Sequence, residues 1–123
     1  MDFRTDRKRV EGLGSARDGT EHHWRMTLSS WGLAILVPLF VFTFGSTLGS
    51  DYETALATYS RPFPAIVAIL TLVVGWMHFK GGVQVLIEDY THGATRTGLI
   101  VATTCLSYAA AAAGVFAIVS IAL

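Results

Sequence analysis

The sequence predicts an all-α integral membrane protein, a bundle of three transmembrane helices. Three observations carry that expectation. Of 123 residues, 52% are hydrophobic and only 15% charged, where a soluble domain of this size carries about a quarter charged residues. The apolar residues fall into three long blocks rather than short periodic stretches, as a bilayer solvent demands. Polar segments separate the blocks.

The first 25 residues read as a polar arm with Arg4, Arg7, Lys8, Arg9, Arg17 and Arg25. Gly12, Gly14 and Gly19 speak against one continuous helix there, so an irregular arm on the membrane face is expected. This stretch is far longer than the charged start of a secretion signal, and the first apolar block is expected to remain as an anchor. Trp24 and Arg25 mark the water–lipid boundary, where amphipathic rings and snorkelling cations settle.

The first span is expected over 26–44, with Pro38 inside it, which a membrane helix tolerates when neighbours satisfy the freed backbone. A polar connection leads to Pro62 and Pro64. The second span is expected over 64–87, starting at a proline that suits the first helical turn. A short polar turn, EDYTHGATR, precedes a third span over 97–123. Six Lys/Arg lie in the arm, one (Arg61) in the first loop and one (Arg96) in the second turn. The positive-inside rule therefore puts the N-terminus and the second turn in the cytoplasm. The run Ala109–Ala113 with Gly114 predicts close helix packing, extending to another chain because three thin spans make a poor self-sufficient protein.

Net charge is zero, which leaves a nucleic-acid partner without support. Cys105 is alone, so neither a disulfide framework nor a cysteine-based metal knuckle is available.

The chemistry concentrates in HFKGGVQVLIEDYTH, residues 78–92. An ionisable side chain inside a span is costly and by default functional, and a neutral imidazole is a common ligand to heme iron. His78 could instead only hydrogen-bond a backbone carbonyl of a neighbouring helix; on position alone the two readings are even. Gly81 and Gly82 lie one turn away, open to a flat macrocycle or to plain helix packing. Asp89 returns to the His78 face roughly 16 Å further along, giving a stripe of His78, Gly82, Val85 and Asp89. Tyr90 remains a hydrogen-bond donor at neutral pH and could serve a quinone head group, with Asp89 relaying protons. The plainer alternative is an aromatic belt beside helix-end acids. His22, His23 and His92 read as solvated or interfacial.

The order His78, Gly82, Gln84, Glu88, Asp89, Tyr90, His92 resembles the small heme-anchor subunit of succinate dehydrogenase, respiratory complex II. The lead GLGSARDGTEHHW is similar to that of bacterial members. The resemblance implies that His78 is one axial ligand of a heme b shared with a companion cytochrome b anchor subunit. It implies that Tyr90 and Asp89 form part of a ubiquinone site. Arg25, in looser register, becomes a contact to a heme propionate. Lys80 has no place in the pattern. Partners implied are the companion anchor, an iron–sulfur subunit and a flavoprotein subunit in the inner (cytoplasmic) membrane, with this chain non-catalytic by itself. Two rivals stand: an anchor of another heme b quinone-linked oxidoreductase such as fumarate reductase, and a non-redox accessory subunit of a membrane transporter.

Overall fold

The computed structural model describes residue 3, residues 5–11 and residues 18–123. Five helices follow in order: α1 (Asp6–Glu11), α2 (Asp18–Gly45), α3 (Tyr52–Tyr59), α4 (Pro62–Tyr90) and α5 (Gly93–Ala122). Three of them, α2, α4 and α5, are long and apolar enough to cross a membrane. The three-span expectation is met.

Each span is longer than expected. At about 1.5 Å per residue a helix of some 20 residues crosses the hydrocarbon core, and α4 has 29 and α5 30. The surplus turns carry polar side chains, which the interface solvates. The expected irregular arm is corrected in its last part: residues 18–25 are the first two turns of α2. The remainder of the arm falls partly in α1, and Gly12, Gly14 and Arg17 lie outside the described residues.

The loop after α2 also differs from a plain polar connection. Hydroxyls of Ser46, Thr47 and Ser50 donate back to the Thr43, Phe44 and Thr47 carbonyls. They satisfy groups that a helix end leaves open. Gly49 then takes φ +80°, a left-handed conformation that glycine adopts without strain. Asp51 caps α3 by accepting from the Thr54 N–H at 2.9 Å. That hydrogen bonding to Thr54 holds its carboxyl below the usual range, because it favours the charged form. Pro62 occupies the first turn of α4. The turn from α4 to α5 is short: the Thr91 N–H and hydroxyl both bond the Ile87 carbonyl, and Gly93 reverses the chain at φ +62°.

Packing makes a row rather than a closed triangle. α4 is central, touching α2 on one side and α5 on the other, and α2 and α5 make no mutual contact among the described residues. Small side chains on α4, Ala65, Ala68 and Gly81, are buried. Ser107 of α5 is 2% exposed, its hydroxyl turned back to the Thr103 carbonyl. Only 17% of the most apolar stretch of α4 is buried, and 6% in α2 and α5. Phe42, Trp31 and Phe116 stand largely exposed. Lipid or another chain must therefore supply most of the packing.

Candidate functional site

Because α2 starts at Asp18, a side-chain stripe forms that an irregular arm would not have. His22, Met26, Ser29 and Gly32 recur at helical spacing and line the seam with α4, where Val74, Met77, Gly81 and Gln84 answer them. Gly81 allows the close approach. A Cβ there would lie 2.5 Å from the Met26 sulfur, so the glycine seats a methionine of the partner helix.

His78 is half-buried in this seam. Its Nδ1 lies 2.9 Å from Ser29 Oγ, and Ser29 Oγ donates to the Met26 carbonyl, also at 2.9 Å. Among the described residues the Nε2 atom of His78 has no hydrogen bond. The alternative in which His78 only bonds a backbone carbonyl is thereby corrected: its partner is a hydroxyl, and one ring nitrogen stays uncommitted.

Beside this pair the seam opens into a cavity of about 680 Å³, within the range of small-molecule and cofactor sites. Its ends differ in chemistry. Leu28, Trp31, Ile35, Val74 and Met77 make one end apolar, and His22, Arg25, Lys80 and Gln84 make the other polar and cationic. Arg25 pairs with Glu21 one turn earlier at 2.5 Å, a pair exposed enough to contribute little to stability and to yield to another anion. Lys80 Nζ donates to the Tyr108 hydroxyl of α5 at 3.3 Å and stands 5.1 Å from that ring's centroid. Gln84 Nε2 donates to Glu88 Oε1 at 3.0 Å, and Glu88 faces Arg96 at 3.5 Å. His22 Nε2 is buried without a partner, an unmet polar group at the cationic end.

The residues expected from sequence divide into two places. His78 and Arg25 both lie along the α2–α4 seam, His78 bonded to Ser29 and Arg25 at the polar end of the cavity. Asp89 and Tyr90 sit at the C-terminal end of α4, outside that cavity; both are exposed, Tyr90 at 78%. Neither hydrogen-bonds the other among the described residues. The stripe His78, Gly82, Val85, Asp89 divides: His78 turns into the seam with α2, whereas Gly82, Val85 and Asp89 are exposed and the seam continues through Gly81 and Gln84. Sequence reasoning missed Ser29, set His22 aside as solvated or interfacial, and gave Gln84 a place in the motif but no role at the seam. The signal for Ser29 and for the inward place of His22 was the spacing of His22, Met26 and Ser29, hidden by treating residues up to 25 as irregular. His23 and His92 are exposed, as expected, and His92 precedes α5 without capping it through its side chain.

Long apolar helices, an intramembrane histidine and a cavity with one cationic end define a multi-pass membrane subunit with a polar seam between its spans. Residues 1–121 match the family described as succinate dehydrogenase/fumarate reductase transmembrane subunit, and the chain belongs to that family. It is 42% identical over 118 residues to the succinate dehydrogenase hydrophobic membrane anchor subunit of Paracoccus denitrificans, covering 96% of this chain and 92% of the relative. It is 29% identical over 108 residues to the subunit of the same name from Rickettsia bellii, covering 86% of each. No solved structure matches the chain. Family membership displaces the rival reading as a transporter accessory subunit.

Proposed function

We propose that this chain anchors a succinate dehydrogenase in the inner (cytoplasmic) membrane and contributes to its heme b and ubiquinone sites. The anchoring role follows the names of the relatives and the three spans. The observation that carries the cofactor reading is His78: an imidazole inside a span, held at Nδ1 by Ser29 and uncommitted at Nε2. The donor set fits a heme. A neutral imidazole ligates iron, and Arg25 offers a cation where a propionate would lie, with the unpartnered His22 Nε2 beside it.

When bound, the heme supplies one-electron chemistry within the bilayer. This chain's own residues ligate, orient and neutralise charge. His78 would hold the heme iron from this chain, and a histidine of a companion cytochrome b anchor subunit would hold it from the other side of a shared site. The exposed stripe below His78 gives that companion a surface to meet.

Tyr90 and Asp89 form this chain's half of the ubiquinone site. The phenol donates to a quinone carbonyl, and the carboxylate beside it passes protons from the water side. Their exposure suits a pocket that another subunit completes. Iron–sulfur and flavoprotein subunits dock on that same face and carry out succinate oxidation. The charge distribution supports a cytoplasmic N-terminus: Arg25, Lys80 and Arg96 lie toward one end of the row and Arg61 toward the other, and cations favour the cytoplasmic side. The family description also covers fumarate reductase, whose anchor would use the same groups in the opposite direction.

The test is purification of the tagged chain from mild detergent, with a reduced-minus-oxidised spectrum. The expected result is co-purification of three further subunits and a b-type band reduced by succinate. A complex lacking any heme band would end the cofactor reading and leave the anchor role standing.

A further inference from the structure

We propose that Ser29 is the positioning residue for His78, fixing which ring nitrogen is left to bind iron; this rests on the heme reading above. A neutral imidazole has one N–H and one bare nitrogen, and its surroundings decide which is which. A serine hydroxyl has one hydrogen to give and two lone pairs to receive with. Ser29 Oγ lies 2.9 Å from His78 Nδ1 and 2.9 Å from the Met26 carbonyl. When its hydrogen goes to that carbonyl, the oxygen can only accept from the ring. Nδ1 then carries the hydrogen, and Nε2 is bare and free to ligate.

The opposite arrangement, with Ser29 donating to Nδ1, would put the hydrogen on Nε2 and block ligation. Iron at Nε2 therefore selects the chain His78 Nδ1–H to Ser29 Oγ–H to Met26 carbonyl. Metal-bound histidines are held through their second nitrogen in this way, and the contact raises their basicity. Ser29 Oγ is the ring's hydrogen-bond partner among the described residues, and in a water-poor span a lost acceptor is poorly replaced. Ser30 supplies an internal control. Its hydroxyl also donates to the Met26 carbonyl at 2.9 Å, and it has no bond to the ring.

The experiment compares Ser29→Ala, Ser29→Thr, Ser29→Cys and Ser30→Ala in the assembled membrane complex. It reads the midpoint potential of the b-type heme, its low-spin magnetic resonance spectrum and its retention during detergent washing. Ser29→Ala is expected to raise the potential, because a less basic imidazole stabilises the oxidised iron less. It should also weaken heme retention about tenfold or more. Ser29→Thr keeps the hydroxyl and restores both; Ser30→Ala leaves both unchanged. Should Ser29→Ala fail to assemble, Ser29→Cys decides: its weakly accepting thiol should give an upward shift in potential. Wild-type potential and retention in Ser29→Ala, or in Ser29→Cys where Ala does not assemble, would overturn the proposal, as would equal shifts in Ser30→Ala. A wild-type complex with no heme, or one whose ligation survives His78→Ala, would instead overturn the heme reading on which the proposal rests.

Discussion

The two seams of α4 differ in what fills them. Toward α5 the fit is tight and apolar: a Cβ on Gly114 would lie 3.0 Å from a Leu72 methyl, and Ser107 turns its hydroxyl back on its own helix. Toward α2 the helices touch through a glycine and a methionine, then part around a cavity lined by His22, Arg25 and Ser29, with His78 behind Ser29 and bonded to it. Both faces are built from the same apolar helix, and two polar links bridge them: Lys80 reaches across to Tyr108, and Gln84 leads through Glu88 to Arg96. In a bilayer, where lipid competes equally for apolar surface, close-fitting small residues make a structural joint. Polar residues left beside an open volume make a chemical one.

Breaking each seam should therefore have different consequences. The largest effect is expected for His78→Ala: loss of the proposed heme ligand and with it the b-type spectrum, while the chain remains in the membrane. Gly114→Leu should do the reverse. Driving a branched side chain into Leu72 costs about 1–3 kcal/mol of packing, read as a lower thermal midpoint of the purified complex with the heme spectrum of surviving molecules unchanged. Tyr90→Phe, outside both seams, should lower quinone reduction roughly two- to tenfold, the value of one neutral hydrogen bond. Succinate oxidation by an artificial acceptor should be unaffected; equal losses in both assays would remove Tyr90 from the quinone. The smallest change is expected for Lys80→Met. It removes an interhelical contact of less than about 1 kcal/mol and should shift the thermal midpoint slightly, with the b-type spectrum preserved.

Much of this was legible in the residues. The three spans follow from block composition, and His78 announces itself as an imidazole in a span. Span ends were misread because interfacial turns are polar: residues 18–25 look like an arm by composition, yet they continue α2. That misreading hid the alignment of His22, Met26 and Ser29 opposite α4. α3 was hidden too, in a polar loop whose helix depends on a local contact, the Asp51 cap on Thr54. On α4 the expected single stripe divides: His78 enters the seam with α2, while Gly82, Val85 and Asp89 are exposed. Which side of a helix meets its neighbour is decided by the neighbour, here by Met26 against Gly81.

The central claim concerns what meets the ring of His78. An experimental density map of the intact complex tests it most directly. The account predicts a macrocycle at the level of residue 78, iron within coordinating distance of Nε2, and Nδ1 turned to Ser29. Side chains or lipid alone at that position would contradict it.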